Sequence, residues 1–120
     1  PGISDVFLEG AVTYANEAKV RTLNVKEETL KKYGAVSEET AREMAEGMAK
    51  RTGSDIAVVT TGIAGPGGGT EEKPVGLVYI GLYYKGEISV YKNVFNGNRQ
   101  KVRTKATVTA LDMVRRKILY

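Results

Sequence analysis

The sequence predicts an α/β protein, a three-layer α/β/α sandwich built on a mixed sheet, and three observations carry that reading. A run rich in β-formers, Phe7 to Tyr14, precedes a set of helical patterns. A short continuous apolar run, Ile56 to Val59, follows them. A hairpin pattern then leads into one long helical stretch that reaches the C-terminus. Strand, helices, strand, hairpin and helix in that order imply a sheet covered by helices.

Each element has its own local cause. Phe7–Tyr14 (FLEGAVTY) is predicted as a strand. Asn16 is a good N-cap for a short helix over Glu17–Leu23. Lys26–Tyr33 forms a second helical turn, with Gly34 at its C′ position. Ser37 caps a third helix, whose first turn carries Glu38 and Glu39 at the positive end of the dipole. Ala41, Met44, Ala45, Met48 and Ala49 follow the spacing of one buried stripe, which is core packing and not a cofactor box. Gly53 ends that helix. Ile56–Val59 suits a strand buried on both faces. Val75–Tyr84 and Glu87–Phe95 read as two strands joined at Lys85-Gly86. The last helix starts near Asn98, with Val102, Ala106, Ala110, Met113 and Val114 on its buried side.

Composition narrows the chemistry. The chain has 120 residues, the size of one domain, with 42% hydrophobic and 27% charged residues. It has no cysteine and no histidine, so a thiolate nucleophile, a Ser-His-Asp triad and a His or Cys metal cluster are all excluded within it. Acid–base work then falls to Lys, Tyr, Ser/Thr or carboxylates. The absence of cysteine makes a cytoplasmic setting the expectation. No apolar run is long enough to span a bilayer. The start, Pro1-Gly2-Ile3-Ser4-Asp5, lacks an initiator Met and a signal-peptide pattern, and reads as the middle of a protein. A net charge of +4 favours an anionic small substrate.

Three constellations could carry chemistry. Five glycines lie between Gly62 and Gly69, directly after a predicted strand. Such a loop can present backbone N–H groups to an anion, or can simply be a flexible connection. It is neither a P-loop, since Lys73 is misplaced before Pro74, nor a dinucleotide fingerprint, since Thr70 stands where a third glycine would open a helix. The second constellation is Tyr14 at a strand end with Lys19 in the next helix's first turn. The dipole and partial burial would both lower the pKa of that amine, making it a general base; the alternative is one more solvated cation. The third is the basic run Arg99, Lys101, Arg103 and Lys105, then Arg115, Arg116 and Lys117. Arg99 sits where a helix N-terminus can hold a phosphate. As a nucleic-acid patch the run lacks interleaved aromatics, and nucleic acid is not an expected partner.

Three stretches together resemble the CinA C-terminal domain, the nicotinamide mononucleotide deamidase family: VTYANEAK (Val12–Lys19), YGAVSEETAREMAEG (Tyr33–Gly47) and TGIAGPGGGTEEKPVG (Thr61–Gly76). GNRQKVR (Gly97–Arg103) is similar to the family's Gly-Asp-Arg…Arg segment, with Asn98 where Asp is common. Ala15 stands where many members have Ser. The resemblance covers the whole chain. It implies hydrolysis of the carboxamide of nicotinamide mononucleotide, without metal or cofactor, by a single domain over residues 1–120. It implies Tyr14, Lys19 and Thr61 as catalytic residues. Asn16, Gly62, Gly65, Gly67, Gly68 and Arg99 would bind the substrate. Thr61 is expected as a hydrogen-bond donor to it.

The family's nucleophile is a serine in a Glu-Ser-Cys-Thr-Gly-Gly segment, and that motif is absent from this sequence. Its place would precede Pro1. A serine-bearing upstream segment is therefore an expected partner, and an uncovered apolar surface left by that segment would favour a homo-oligomer. The alternative function is a non-catalytic nucleotide-binding or regulatory domain of a competence-associated protein, which would keep the glycine loop and need no nucleophile.

Overall fold

The computed structural model describes all residues, 1–120. Its organising element is the third helix. Helix α1 (Asn16–Leu23) and helix α2 (Glu27–Tyr33) precede helix α3 (Glu38–Thr52). Ser37 caps α3 by accepting from Thr40 N at 3.2 Å, and Gly53 ends it with φ 71°. The predicted stripe is its inner face: Ala41, Met44, Ala45 and Ala49 are buried, and Met48 is half-buried. Glu43 reaches from α3 to the start of α2, where its carboxylate accepts from Lys26 N at 2.9 Å and from Thr29 Oγ1 at 2.6 Å. That contact substitutes for a local cap that α2 lacks.

Strand β1 (Ile56–Gly62), strand β2 (Leu77–Tyr84) and strand β3 (Glu87–Val94) form one sheet in the order β1-β2-β3. Both pairings are antiparallel, with Ile56 opposite Tyr84 and Tyr84 opposite Glu87. The β2–β3 turn places Lys85 and Gly86 at φ 46° and 94°, the left-handed pair of a type I′ hairpin. Helix α4 (Arg99–Leu119) starts at Asn98, whose side chain accepts from Lys101 N at 2.9 Å. Leu23, Val25, Met44, Ala45 and Val59 pack on the α3 side of the sheet. Val78, Ile80, Val102, Ala106 and Ala110 pack on the α4 side. Alternation along the strands supplies both cores, so helices cover two faces and the fold is the expected α/β/α sandwich.

Close approach fixes two glycines. A Cβ on Gly81 would lie 2.7 Å from the Ala41 carbonyl oxygen, so α3 rests directly on β2. A Cβ on Gly47 would overlap the Leu23 carbonyl, where α1 ends against α3. Gly47→Ala is therefore expected to destabilise by about 1–3 kcal/mol through overpacking, despite better helix propensity, read as a lower urea midpoint at unchanged slope. An unchanged or raised midpoint would mean that the two helices separate freely.

Three expectations are corrected. The sheet is wholly antiparallel where a mixed one was predicted: its three strands follow one another with only reversing connections. Phe7–Tyr14 is not a strand, since no backbone partner lies beside it and Phe7, Leu8, Val12 and Tyr14 are exposed. A β-prone segment needs a neighbouring strand to pair with, and propensity alone cannot supply one. Asn16 is the first residue of α1 and not its N-cap; Ala15 holds that place with no side-chain bond.

Candidate active site

The N-terminal stretch, a 3-10 turn at Ile3–Asp5 followed by extended chain to Ala15, runs beside the molecule with little packing of its own. Glu9 is tied to Arg51 of α3 at 2.7 Å, an exposed pair that contributes little to stability. Between this stretch, the free edge of β1 and the flank of α4 runs a groove of about 1190 Å³. Because β1 is an edge strand, the groove opens into both interlayer spaces: Leu23 and Met44 line it from one side, Val102 and Ala106 from the other. It exceeds the ~300–1,000 Å³ of common small-molecule sites, and apolar side chains dominate its walls.

Tyr14, Lys19, Thr61, Gly62 and Arg99 all line this groove. Asn16, Gly65, Gly67 and Gly68 do not. Lys19 is the one buried charged side chain, 6% exposed, on the inner face of α1. Its Nζ donates to Thr13 O at 2.7 Å and to Tyr14 O at 3.4 Å. Burial lowers its pKa below the ordinary lysine value, because the ammonium has lost solvent and faces carbonyls in place of a carboxylate. A neutral amine has two N–H bonds and one lone pair. The two carbonyls take the N–H bonds, and the lone pair is left to accept a proton. The Tyr14 ring itself is 84% exposed.

Thr61, near the end of β1, is buried, and its Oγ1 donates to Ala35 O at 2.7 Å. The expected donor is therefore already engaged: its single proton points to the α2–α3 turn, and a ligand would meet only its lone pairs. The glycine loop folds back on the segment before β2. Gly65 has φ 83° and its missing Cβ leaves room for Val75; Gly68 has φ 87°; Gly67 faces open space. Arg99, first residue of α4, donates from Nη1 to Gly65 O at 3.0 Å, so it braces the loop and keeps its remaining N–H groups free. Lys73 braces the far side, its Nζ donating to Tyr33 O at 2.6 Å. Neither brace was readable from spacing, since each joins residues more than 30 positions apart.

A buried amine and Gly62, the first residue of a glycine-rich loop, line one groove along the sheet edge of an α/β/α sandwich. The chain belongs to the CinA C-terminal domain family, whose model matches residues 1–118. It is 65% identical over 97% of its length to a competence-damage inducible protein of Clostridium beijerinckii, and 63% identical over 98% to one of Clostridium perfringens. Among solved structures, the competence/damage inducible protein CihA of Agrobacterium tumefaciens superposes with a TM-score of 0.83 at 44% identity, over 86% of this chain and 64% of that one. The competence damage-inducible protein A of Klebsiella pneumoniae gives 0.86 at 36% identity, over 91% and 68%. The chain spans under a third of those Clostridium relatives, 28% and 29% of their lengths. No helix is long and apolar enough to cross a membrane.

Proposed function

We propose that this domain hydrolyses the carboxamide of nicotinamide mononucleotide to nicotinate mononucleotide and ammonia, in the cytoplasm, as part of a longer protein. The observation that carries the reading is Lys19: a buried amine with its N–H bonds occupied and its lone pair free, at the groove that also holds Thr61 and Arg99. In a chain without histidine or cysteine, such a lysine is the group best suited to activate a hydroxyl. The hydroxyl is that of the upstream serine which the family resemblance implies. Its oxygen attacks the carboxamide carbon while Lys19 takes its proton. The C–N bond then breaks, and the proton passes to the departing nitrogen, which leaves as ammonia. Water, deprotonated by the same amine, cleaves the resulting ester and restores the serine. Tyr14, whose own backbone carbonyl meets Lys19, relays or stabilises at the mouth of the groove.

The phosphate is assigned to Arg99 and the amides of the glycine loop, with Asn16 and Gly62, Gly65, Gly67 and Gly68 completing the substrate's surroundings. The test is ammonia release by the full-length protein. Nicotinamide riboside, lacking the phosphate, is expected to be a far poorer substrate than the mononucleotide. Arg99→Ala is expected to narrow that gap, since a charge-assisted contact of the arginine is lost only for the phosphorylated compound. Equal turnover of riboside and mononucleotide by the unmutated protein would remove the phosphate site from the scheme.

A further inference from the structure

Thr61 has one hydroxyl proton, and the fold fixes its direction. Oγ1 donates to Ala35 O at 2.7 Å from a side chain that also lines the groove. The acceptor is held in turn. Ala35 lies in the turn between α2 and α3, where Gly34 O accepts from Ser37 Oγ at 2.9 Å and from Thr40 Oγ1 at 2.7 Å. Thr40 is fully buried and Ser37 nearly so. Tyr33 O accepts from Lys73 Nζ. Three successive carbonyls are thus pinned by α3, by β1 and by the far arm of the glycine loop. Turning the Thr61 hydroxyl towards a ligand would strip the carbonyl of half-buried Ala35 of this partner and cost the bond.

We propose that Thr61 is a specificity-determining hydrogen-bond acceptor, which selects a primary carboxamide over a carboxylate because the Ala35 carbonyl has already taken its proton. The inference rests on the amidohydrolase reading and adds a direction to it. A carboxamide –NH2 can donate to Oγ1. A carboxylate has no proton to give, and its oxygen would face the hydroxyl's lone pairs. One contact then holds the substrate and disfavours the acid that hydrolysis produces, so the product leaves. The same geometry disfavours a methyl ketone, which is neutral, has the shape of the amide and carries no N–H.

The test uses ammonia release by the full-length protein. Nicotinate mononucleotide and the methyl-ketone analogue, 3-acetylpyridine mononucleotide, serve as competitive inhibitors. In the unmutated protein both inhibition constants are expected to lie at least about tenfold above KM, the usual effect of one unpaired buried acceptor. Thr61→Val should raise KM towards those constants and leave the constants themselves nearly unchanged, whereas Thr61→Ser should restore the discrimination. Should the valine variant not fold, the unmutated protein still decides: a ketone that binds as well as the amide overturns the acceptor role, whatever the variants do. Normal ammonia release with no amide preference removes Thr61 alone. No ammonia release from the mononucleotide by the unmutated protein overturns the amidohydrolase reading and this inference with it.

Discussion

Replacing Lys19 by alanine in the full-length protein is expected to lower kcat by ~10²–10⁴-fold, the usual worth of a general base. The thermal midpoint should move little, because the lost bonds to Thr13 O and Tyr14 O are offset by removal of a desolvated amine. Lys19→Arg should be as inactive as the alanine variant, since a guanidinium cannot give up its proton in a protein. The pH dependence has a definite sign. Burial lowers the pKa of Lys19, so the active, neutral form accumulates at a lower pH than for an ordinary lysine, and kcat should rise with pH to a plateau whose inflection lies below the unperturbed 10.5. Stability follows the same proton. Between the folded and the unfolded pKa the unfolded chain binds more protons, so this residue's contribution to stability rises with pH across that window; below the folded pKa its full cost is present. Retention of more than about a tenth of wild-type turnover in the alanine variant would take Lys19 out of the base role.

The second large effect concerns the nucleophile. Residues 1–120 purified alone are expected to release no ammonia from nicotinamide mononucleotide, because the serine motif that the family resemblance implies is absent from them and the Thr61 hydroxyl already donates to Ala35 O. They should also self-associate through the groove and the exposed Phe7, Leu8 and Val12 beside it. Supplying the upstream segment, covalently or as a separate peptide, should restore both activity and monodispersity. The same segment with its serine replaced by alanine should restore monodispersity only. Ammonia release at wild-type rates by a verified preparation of residues 1–120 would place the nucleophile within this sequence and overturn the assignment of roles.

Most of the helical framework was legible because its signals are local. Ser37 with Glu38 and Glu39, the Ala/Met spacing from Ala41 to Ala49, Gly53 and the Lys85-Gly86 turn each act over a few residues. For Lys19 only the direction of its pKa shift was legible from its place behind a tyrosine and one turn into a helix; burial causes the shift. What failed was non-local. Phe7–Tyr14 has a strand's composition, yet a strand is a relation between two segments. A mixed sheet was inferred from element order, which does not specify pairing. Thr61 was read as a donor because nothing in its own neighbourhood reveals a carbonyl 26 positions earlier that takes its proton. Arg99 was correctly placed at a helix start, but its contact with Gly65 O joins segments 34 residues apart and is invisible to periodicity.

The order β1-β2-β3 also grades the molecule kinetically. Strand β2 has a neighbour on each side and buries Leu77, Val78, Ile80 and Leu82, so its amide protons exchange with solvent last, through near-global unfolding. Strand β1 has one neighbour, and half of its main-chain groups face the groove. The groove side of this domain is thus one of its two open sheet edges, and Thr61 lies on a strand less protected than β2. A ligand or chain segment seated along that edge would therefore do more than fill space: it would turn an edge strand of the sheet into an interior one.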